Sequence, residues 1–292
     1  MAVAIEKLVV VGVGLIGASF ALALRKAGAV RKVVGVGRSR ANLEHALFAG
    51  AIDETAPDAG TAAIGADFVL VATPVAAMAE AFAGLATRLP RGAVVTDGGS
   101  TKRSVIEAAR ASLGPRFDQF VPAHPVAGSD ESGAVAASAG LYRGREVILT
   151  PLAETLPEAV ERVRGAWQAC GARVTEMGPA EHDAVLAAVS HLPHLLSFAL
   201  VRELTARADA AGLLAHAGAG FRDVSRLAAS NPEMWRDICL ANRDALLGEL
   251  RRYQAELARL GAALEQSDGE ALERAFAAAR AARRAWTAQG EE

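Results

Sequence analysis

The hydrophobic pattern of the first 179 residues repeats a simple unit. Short, valine-rich runs without polar alternation each precede a stretch with helical periodicity. Such runs are typical of parallel strands that are buried on both faces. We predict strands at 7–12, 32–37, 67–72, 92–96, 120–121, 146–150 and 173–177. The strand–helix order predicts an α/β fold, a doubly wound and mostly parallel sheet with its ligand crevice at the carboxyl ends of the strands.

After Gly178-Pro179 the pattern changes to helical periods without a convincing strand, with breaks near 212–220 and at Asn231-Pro232. We therefore predict two domains, an α/β domain at 1–179 and an all-α domain at 180–292. The long apolar helix faces favour burial against a second copy of the chain. A homodimer through the helical domain is the expected assembly.

Composition narrows the class of protein. The chain has 292 residues, 52% hydrophobic and 22% charged, which is typical of a folded soluble protein. A net charge of −2 argues against a general nucleic-acid binder. Cys170 and Cys239 lack metal-ligand spacing and fit a reduced cytoplasm. The apolar segment 8–24 resembles a membrane anchor, but its glycine spacing favours a soluble, cytoplasmic protein without a membrane partner.

That spacing lies in Gly12-Val13-Gly14-Leu15-Ile16-Gly17, between a predicted strand and a predicted helix at 15–26. One glycine permits a tight turn, the second lets backbone approach a pyrophosphate, and the third lets helix and strand pack closely. The helix amino terminus then faces the phosphates. We predict a Rossmann-like dinucleotide site in which Gly12, Gly14, Leu15, Ile16 and Gly17 contact the cofactor.

The second strand indicates which dinucleotide binds. An acid at its end would bond the ribose 2′-hydroxyl of NAD, but this chain has Arg38-Ser39-Arg40 there. These side chains could bind a 2′-phosphate through charge and hydrogen bonds. We therefore favour NADP over NAD as the cofactor. The alternative is that these are ordinary exposed loop residues and that NAD binds.

Further small and polar residues follow the next strands. Thr73-Pro74 ends one of them, and Asp97-Gly98-Gly99-Ser100-Thr101-Lys102 ends another. Strand carboxyl ends line the ligand crevice of such sheets, so Thr73, Pro74 and Gly99 are candidate cofactor contacts. The alternative for the second segment is a glycine-rich turn with an N-capping hydroxyl.

Candidate chemistry comes from histidines and arginines. His124 precedes Pro125, which favours extended backbone and a loop that can aim an imidazole. In Ser190-His191-Leu192-Pro193-His194, two histidines share a helix face, but no further ligands with fitting spacing follow and we predict no metal site. A helix kinked at Pro193 is the better interpretation. Arg226 and Arg222 could bind carboxylates, or they could form a salt-bridged helix start with Asp223.

Taken together, these motifs resemble the prephenate/arogenate (cyclohexadienyl) dehydrogenase family of tyrosine biosynthesis. The similar segments occur in the family's order and span nearly the whole chain: 12–17, 97–102, 124–129, 190–194, and 220–226 running on to 231–237. The resemblance implies an oxidoreductase that performs oxidative decarboxylation. Hydride leaves the ring carbon that bears the hydroxyl, the ring carboxylate departs as CO₂, and aromatisation drives the reaction.

The resemblance also implies roles for individual residues. His124 accepts the hydroxyl proton or a strong hydrogen bond from it, and Ser100 orients His124; these two are the catalytic candidates. Arg226 pairs with a substrate carboxylate. The remaining substrate-binding candidates are Ser129, Asp130, Ser190, His191 and His194. Asp130-Glu131 could receive the ammonium group of arogenate, which makes arogenate use plausible.

Two alternative functions share this architecture. The first is an NADP-dependent reductase of the β-hydroxyacid or pyrroline-carboxylate type. The β-hydroxyacid enzymes usually rely on a lysine in the helical domain, and this chain has no lysine after Lys102. The second is a redox sensor that binds NAD(P) without turnover, which would need neither His124 nor Arg226 in the crevice.

Overall fold

The computed structural model describes residues 4–128 and 133–289, and it divides the chain into two compact units, 1–243 and 244–292. The first unit contains a six-stranded sheet in the order β3-β2-β1-β4-β5-β6, and every neighbouring pair is parallel. This confirms the predicted doubly wound α/β fold. Its elements are β1 (Ile5–Val11), α1 (Leu15–Lys26), β2 (Val30–Val36), α2 (Arg40–Phe48), β3 (Glu54–Thr55), α3 (Ala59–Ala63), β4 (Phe68–Val71), α4 (Met78–Ala86), β5 (Val94–Asp97), α5 (Arg103–Leu113) and β6 (Phe120–Val121).

The central strand explains the absence of polar alternation. Leu8 and Val10 of β1 pack into one hydrophobic cluster, whereas Val9 and Val11 pack into another. Successive side chains of a strand point to opposite faces, so both faces of this sheet are covered. The first cluster includes Trp167, and its ring centroid lies 4.5 Å from that of Phe20 on α1.

The chain leaves the parallel sheet after β6 and builds a second sheet, which the sequence pattern did not separate from the first. This sheet contains β7 (Ala123–Pro125), β8 (Glu146–Leu149) and β9 (Arg173–Glu176), with α6 (Pro157–Ala169) between the last two. β7 is antiparallel to β8, and β8 is parallel to β9. Pro122 stands between β6 and β7; it has no N–H to donate, and its carbonyl accepts from the amide of Thr150 at 2.9 Å.

The rest of the first unit is helical. It contains α7 (Pro179–Leu186), a π-helical turn at Ala187–His191, α8 (Leu192–Thr205), α9 (Ala210–Ala215), α10 (Ala219–Ser225) and α11 (Pro232–Ala241). In the part of the chain that the structure describes, no strand follows β9, in agreement with an all-α carboxyl-terminal half. The second unit consists of two long helices, α12 (Arg243–Glu265) and α13 (Gly269–Gln289).

The run Pro179–Thr205 is 27 residues long, and by length and apolar composition alone it could cross a membrane. It is, however, divided into α7, the π-helical turn and α8. It also carries the buried Asp183, whose carboxylate accepts from the backbone amides of Lys102 and Arg103. Of the apolar window in this run, 28% is buried inside the structure.

Candidate active site

The glycine loop between β1 and α1 has the geometry of a phosphate site. A Cβ on Gly12, whose φ is +100°, would lie 2.5 Å from the carbonyl oxygen of Ala72, so only glycine lets β1 end against β4. A Cβ on Gly17 would lie 2.6 Å from Val10 Cγ1 and would collide with the Gly12 carbonyl. A Cβ on Gly14 would meet nothing within 4 Å. The loop therefore leaves open space at Gly14, where the amino terminus of α1 begins.

The ends of β4 and β5 lie beside this loop. Thr73 follows β4, and its Oγ1 is buried without a hydrogen-bond partner among the described residues. A Cβ on Gly98 would lie 3.1 Å from Ile16 Cγ2 and 3.8 Å from Pro125 Cγ. The glycine-rich segment after β5 thus lies between the start of α1 and the strand that carries His124. These residues fit a dinucleotide cofactor at this edge of the sheet.

The segment 38–40 is exposed at the end of β2. Ser39 Oγ accepts from the amide of Asn42 at 3.2 Å and caps α2. Arg40 Nε donates to Glu44 Oε1 at 2.7 Å, one helical turn along. The Arg40 side chain is 91% exposed, so this ion pair is weak and does not prevent Arg40 from reaching a ligand.

Beneath the glycine-rich segment lies a buried ion pair between Asp97 and Lys102, both with fully buried side chains. Asp97 also accepts from the amides of Gly99 at 2.8 Å and Ala123 at 2.9 Å, and Lys102 Nζ also donates to the Ala123 carbonyl. Burial lowers the pKa of Lys102 and is opposed by the charge of Asp97. The pair joins β5 to β7 at the residue that precedes His124.

His124 is buried, and its ring belongs to a chain of hydrogen bonds. Its Nδ1 lies 2.8 Å from His182 Nε2, and His182 Nδ1 lies 2.9 Å from Asp183 Oδ1. Burial lowers the pKa of His124 well below its ordinary value, and the neighbouring titratable groups of His182, Lys102 and His191 lower it further. The imidazole is therefore neutral near pH 7, as a general base requires.

His191 occupies the end of the π-helical turn. Its Nδ1 lies 3.1 Å from Asn242 Nδ2, and the same amide group donates to the Asp183 carbonyl at 2.7 Å. Burial lowers the pKa of His191 to about 4, and the nearby backbone of Ser100 opposes this shift. The π-helical turn thus connects the segment after β5 with the helices that follow β9. Single π-turns inside helices occur frequently at functional sites.

His194 lies one turn further along, at the start of α8. Its ring stacks on Trp235, with centroids 3.6 Å apart and planes at 19°, and its Nδ1 donates to the Ser190 carbonyl at 2.9 Å. Burial lowers the pKa of His194, and the nearby positive charge of Arg226 lowers it further. Ser197 Oγ donates to the Val224 carbonyl at 2.9 Å, which ties α8 to the segment that precedes Arg226. The cationic Arg226, close to a histidine that stacks on Trp235, is a suitable partner for a carboxylate.

Comparisons with known proteins agree with this geometry. Residues 20–176 match the family model described as prephenate dehydrogenase, nucleotide-binding domain. Residues 178–278 match the model described as prephenate dehydrogenase, dimerization domain. The chain belongs to the prephenate dehydrogenase family.

Relatives within this family differ in their named substrates. The chain is 36% identical to the prephenate dehydrogenase of Bacillus subtilis over 94% of this chain and 74% of that protein. It is similar to the structure of Aquifex aeolicus prephenate dehydrogenase in complex with hydroxyphenyl propionate and NAD+, with 33% identity, a TM-score of 0.86, and 94% and 96% of the two chains covered. It is also similar to Synechocystis arogenate dehydrogenase, with 30% identity, a TM-score of 0.80, and 96% and 100% covered.

In this family member, the structure places several of the sequence-predicted residues near one another. His191 contacts the backbone of Ser100, and Arg226 lies close enough to His194 to lower its pKa. Ser129 and Asp130 lie outside the described residues. The roles assigned to all of these residues remain predictions. Pro193 stands in the first turn of α8, directly after the π-helical turn, so the irregularity precedes the proline.

Sequence reasoning missed His182, Asp183, Trp235 and Asn242. His182 and Asp183 looked like polar residues in the first turns of an amphipathic helix, and their partners are more than 50 residues away. Trp235 lies within the similar segment 231–237 but has no local signal of its own. The pattern Glu181-His182-Asp183 followed by a second histidine eight residues after Asp183 was the available signal, and it is too common to identify a site by itself.

Proposed function

We propose that the protein catalyses the NAD(P)-dependent oxidative decarboxylation of prephenate, arogenate or both, to 4-hydroxyphenylpyruvate or tyrosine. The observation that carries the proposal is a neutral, buried His124 whose strand lies beside the glycine-rich segment that contacts the dinucleotide loop, and which has His182 and His191 as neighbours. The nicotinamide, when bound, accepts the hydride. Family membership does not favour the two alternatives, a β-hydroxyacid or pyrroline-carboxylate type reductase and a redox sensor.

His124 accepts the proton of the ring hydroxyl of the substrate as hydride leaves the ring carbon that bears this hydroxyl. It can do so because its pKa is low enough to keep the ring nitrogen free near pH 7. Ser100 lies at the end of the glycine-rich segment and is retained as the residue that orients His124. The closed, buried surroundings of the imidazole exclude water from the base.

Arg226 pairs with a carboxylate of the substrate, and His194, whose ring stacks on Trp235, positions the ring and side chain of the substrate. Two donors in a planar guanidinium fix a carboxylate in one geometry. Ser190 and His191 shape the same side of the site through the π-helical turn. Ser129 and Asp130 complete the proposed set of substrate-binding residues, and Asp130 is proposed to receive the ammonium group of arogenate.

The cofactor is NAD or NADP, and we retain the preference for NADP. The proposal rests on the exposed Arg38 and Arg40 and on the absence of an acid at the end of β2. We expect Arg38→Ala with Arg40→Ala to lower kcat/KM for NADP by roughly tenfold or more, because two charge-assisted contacts to a 2′-phosphate are lost. The value for NAD should change by less than threefold. Equal kcat/KM for the two cofactors in the unchanged protein would contradict the preference.

We further propose a homodimer through the helical half, supported by the dimerization-domain model that matches residues 178–278. The border of the two domains is retained at 179/180. A cytoplasmic location is retained as well, supported by the two free thiols, Cys170 and Cys239. Sedimentation velocity at micromolar concentration should give a mass of two chains, and a single-chain mass would overturn the dimer.

The decisive test of the proposed activity mixes purified protein with prephenate or arogenate and with NAD or NADP. Formation of reduced nicotinamide is followed by absorbance, and the ring product is identified by mass spectrometry. At least one of the four mixtures should show stoichiometric reduction and aromatic product. The absence of product in all four would overturn the proposed function.

A further inference from the structure

His182 and Asp183 lie behind His124, and the proposed reaction does not assign them a role. His182 is fully buried and Asp183 almost so. We infer that His182 is a positioning residue, oriented by Asp183, which holds His124 in the one tautomer that leaves Nε2 free to act as a base. The inference rests on the proposed function wherever turnover is the readout.

The hydrogen-bond chain determines every proton position in turn. Asp183 is ionised, so it only accepts, and His182 Nδ1 must carry the proton of the 2.9 Å bond to Asp183 Oδ1. With a single proton on the His182 ring, held on Nδ1 by Asp183, the Nε2 atom is bare and can only accept. His124 Nδ1, 2.8 Å away, must therefore donate. The remaining nitrogen of His124, Nε2, is left with its lone pair.

The ionised state of Asp183 has a physical cause. Burial raises the pKa of this carboxyl, but hydrogen bonds from His182 and from the backbone amides of Lys102 and Arg103 outweigh burial and leave the pKa below its usual range. These amides donate at 2.8 and 3.0 Å and belong to the first turn of the 11-residue helix α5. A helix amino terminus stabilises negative charge, so Asp183 remains an acceptor.

The same chain gives the accepted proton a path away from the substrate. When the O–H bond of the substrate breaks and an Nε2–H bond forms on His124, the Nδ1 proton can move to His182 Nε2. The positive charge then lies on His182, in direct contact with the Asp183 carboxylate. Among the described residues, the charged or titratable groups that face His124 are His182, Lys102 and His191. Lys102 is already paired with Asp97, so Asp183 is the acid in this part of the structure that can balance the transferred charge.

A second set of contacts fixes the tautomer of His191 and shows that it differs from that of His124. The amide group of Asn242 donates to the Asp183 carbonyl and to His191 Nδ1. Because an amide nitrogen only donates, His191 Nδ1 must be bare, and the proton of His191 lies on Nε2. The two buried histidines are thus held in opposite tautomers, which a purely space-filling role would not require.

The test compares two variants of similar size. In His182→Gln the side-chain amide oxygen can replace Nε2 as the acceptor for His124, whereas His182→Phe offers no acceptor. We expect His182→Phe to lower kcat about 100-fold, with KM for both substrates changed less than about threefold. His182→Gln should retain kcat within about tenfold of the unchanged enzyme. A kcat for His182→Phe within threefold of the unchanged enzyme, or equal losses in both variants, would overturn the inference.

A measurement on the unchanged protein removes the dependence on folding of the variants and on turnover. Imidazole ¹⁵N NMR of the histidine-labelled protein with bound NAD+, assigned with His124→Asn, reports which ring nitrogen carries each proton. We expect His124 and His182 to carry it on Nδ1 and His191 on Nε2. A protonated Nε2 on neutral His124 overturns the inference even if the enzyme is active. If no substrate turns over, the same spectrum still decides the tautomer while the proposed function alone fails.

Discussion

At the scale of single residues, the surroundings of His124 set the pKa of its imidazole. Burial lowers this pKa, and the neighbouring groups of His182, Lys102 and His191 lower it further. The neutral base therefore persists below pH 6.5, the region in which an ordinary histidine becomes protonated. We expect the acid limb of the kcat profile to lie below pH 6.5. A limb at or above that value, measured with saturating substrate and cofactor, would contradict this picture.

Replacement of the base should separate catalysis from folding. We expect His124→Asn to fold and to bind the cofactor but to lose kcat by about 10²- to 10⁴-fold, which is the range of general-base contributions. Cofactor affinity, measured by fluorescence titration, serves as the control for an intact site. A variant that keeps full kcat would exclude the acid–base role.

Arg226 should act mainly on substrate binding. Arg226→Ala removes the proposed partner of a substrate carboxylate, and we expect KM to rise by about tenfold to 100-fold, since a charge-assisted pair contributes about 1.5–3 kcal/mol. Arg226→Lys keeps the charge but loses the planar fork, so its KM should be intermediate. An unchanged KM in both variants would remove Arg226 from the substrate site.

The residues of the candidate site were predictable from the sequence to different degrees. His124 and Arg226 stand in motifs with local signals, a Pro after the histidine and a glycine-rich start of the arginine segment. Asp183 carries no such signal. Its carboxylate binds the backbone amides of Lys102 and Arg103, which lie about 80 residues away in the sequence. Tertiary partners of this kind are set by the packing of α7 on α5, which a single sequence does not encode in any short pattern.

At the scale of elements, the loop between β1 and α1 offers a matched pair of substitutions. A Cβ at Gly14 enters open space, whereas a Cβ at Gly17 collides with backbone and with Val10. We expect Gly14→Ala to leave Tm unchanged but to raise KM for the cofactor about tenfold or more, because the methyl group takes the space of the pyrophosphate.

Gly17→Ala should show the opposite behaviour. It should lower Tm by several degrees, because the closely packed helix and strand must separate. Thermal unfolding without cofactor and cofactor KM are measured for both variants. A Gly14→Ala variant that is destabilised as much as Gly17→Ala, with an unchanged cofactor KM, would contradict the assignment of this loop.

The elements themselves were largely predictable. The helix expected at 15–26 is observed at Leu15–Lys26, and strands β1, β2, β4 and β5 lie within two residues of their predicted ends. The π-helical turn was not predictable, since the sequence directed attention to Pro193 as the cause of a kink. The turn lies before that proline, and His191 at its end contacts Asn242, a residue distant in the chain.

At the scale of the whole molecule, the periodicity of buried strands predicted the α/β class but not the division into two sheets. Strand β8 has an apolar run like that of β4, whereas β9 (Arg173–Glu176) is mostly polar and partly exposed. Their pairing depends on where the chain turns, and Pro122 ends the ladder just before the strand that carries His124. His124 is consequently placed at the junction of the two sheets.

Buried neutral histidines also make the stability of the fold depend on pH. The pKa of His191 is about 4 in the folded protein and about 6.5 when unfolded, so the unfolded chain binds the proton more tightly. The contribution of neutral His191 to the free energy of unfolding is fully present above pH 6.5 and is lost as the pH falls from 6.5 towards 4. Between pH 7 and pH 5 we expect the free energy of unfolding to fall by about 2 kcal/mol from His191 alone.

The prediction is tested by urea unfolding at pH 7 and pH 5, at one protein concentration so that any dimerisation is constant. His191→Gln keeps an acceptor for Asn242 but cannot be protonated, so its loss of stability between the two pH values should be smaller than that of the unchanged protein by about 2 kcal/mol. His45→Gln, at an exposed position on α2, is the matched control and should keep the full loss. If His191→Gln and His45→Gln respond equally to pH, the loss of stability does not come from proton uptake by His191, and the buried His124 and the half-buried His194 become the groups to replace next.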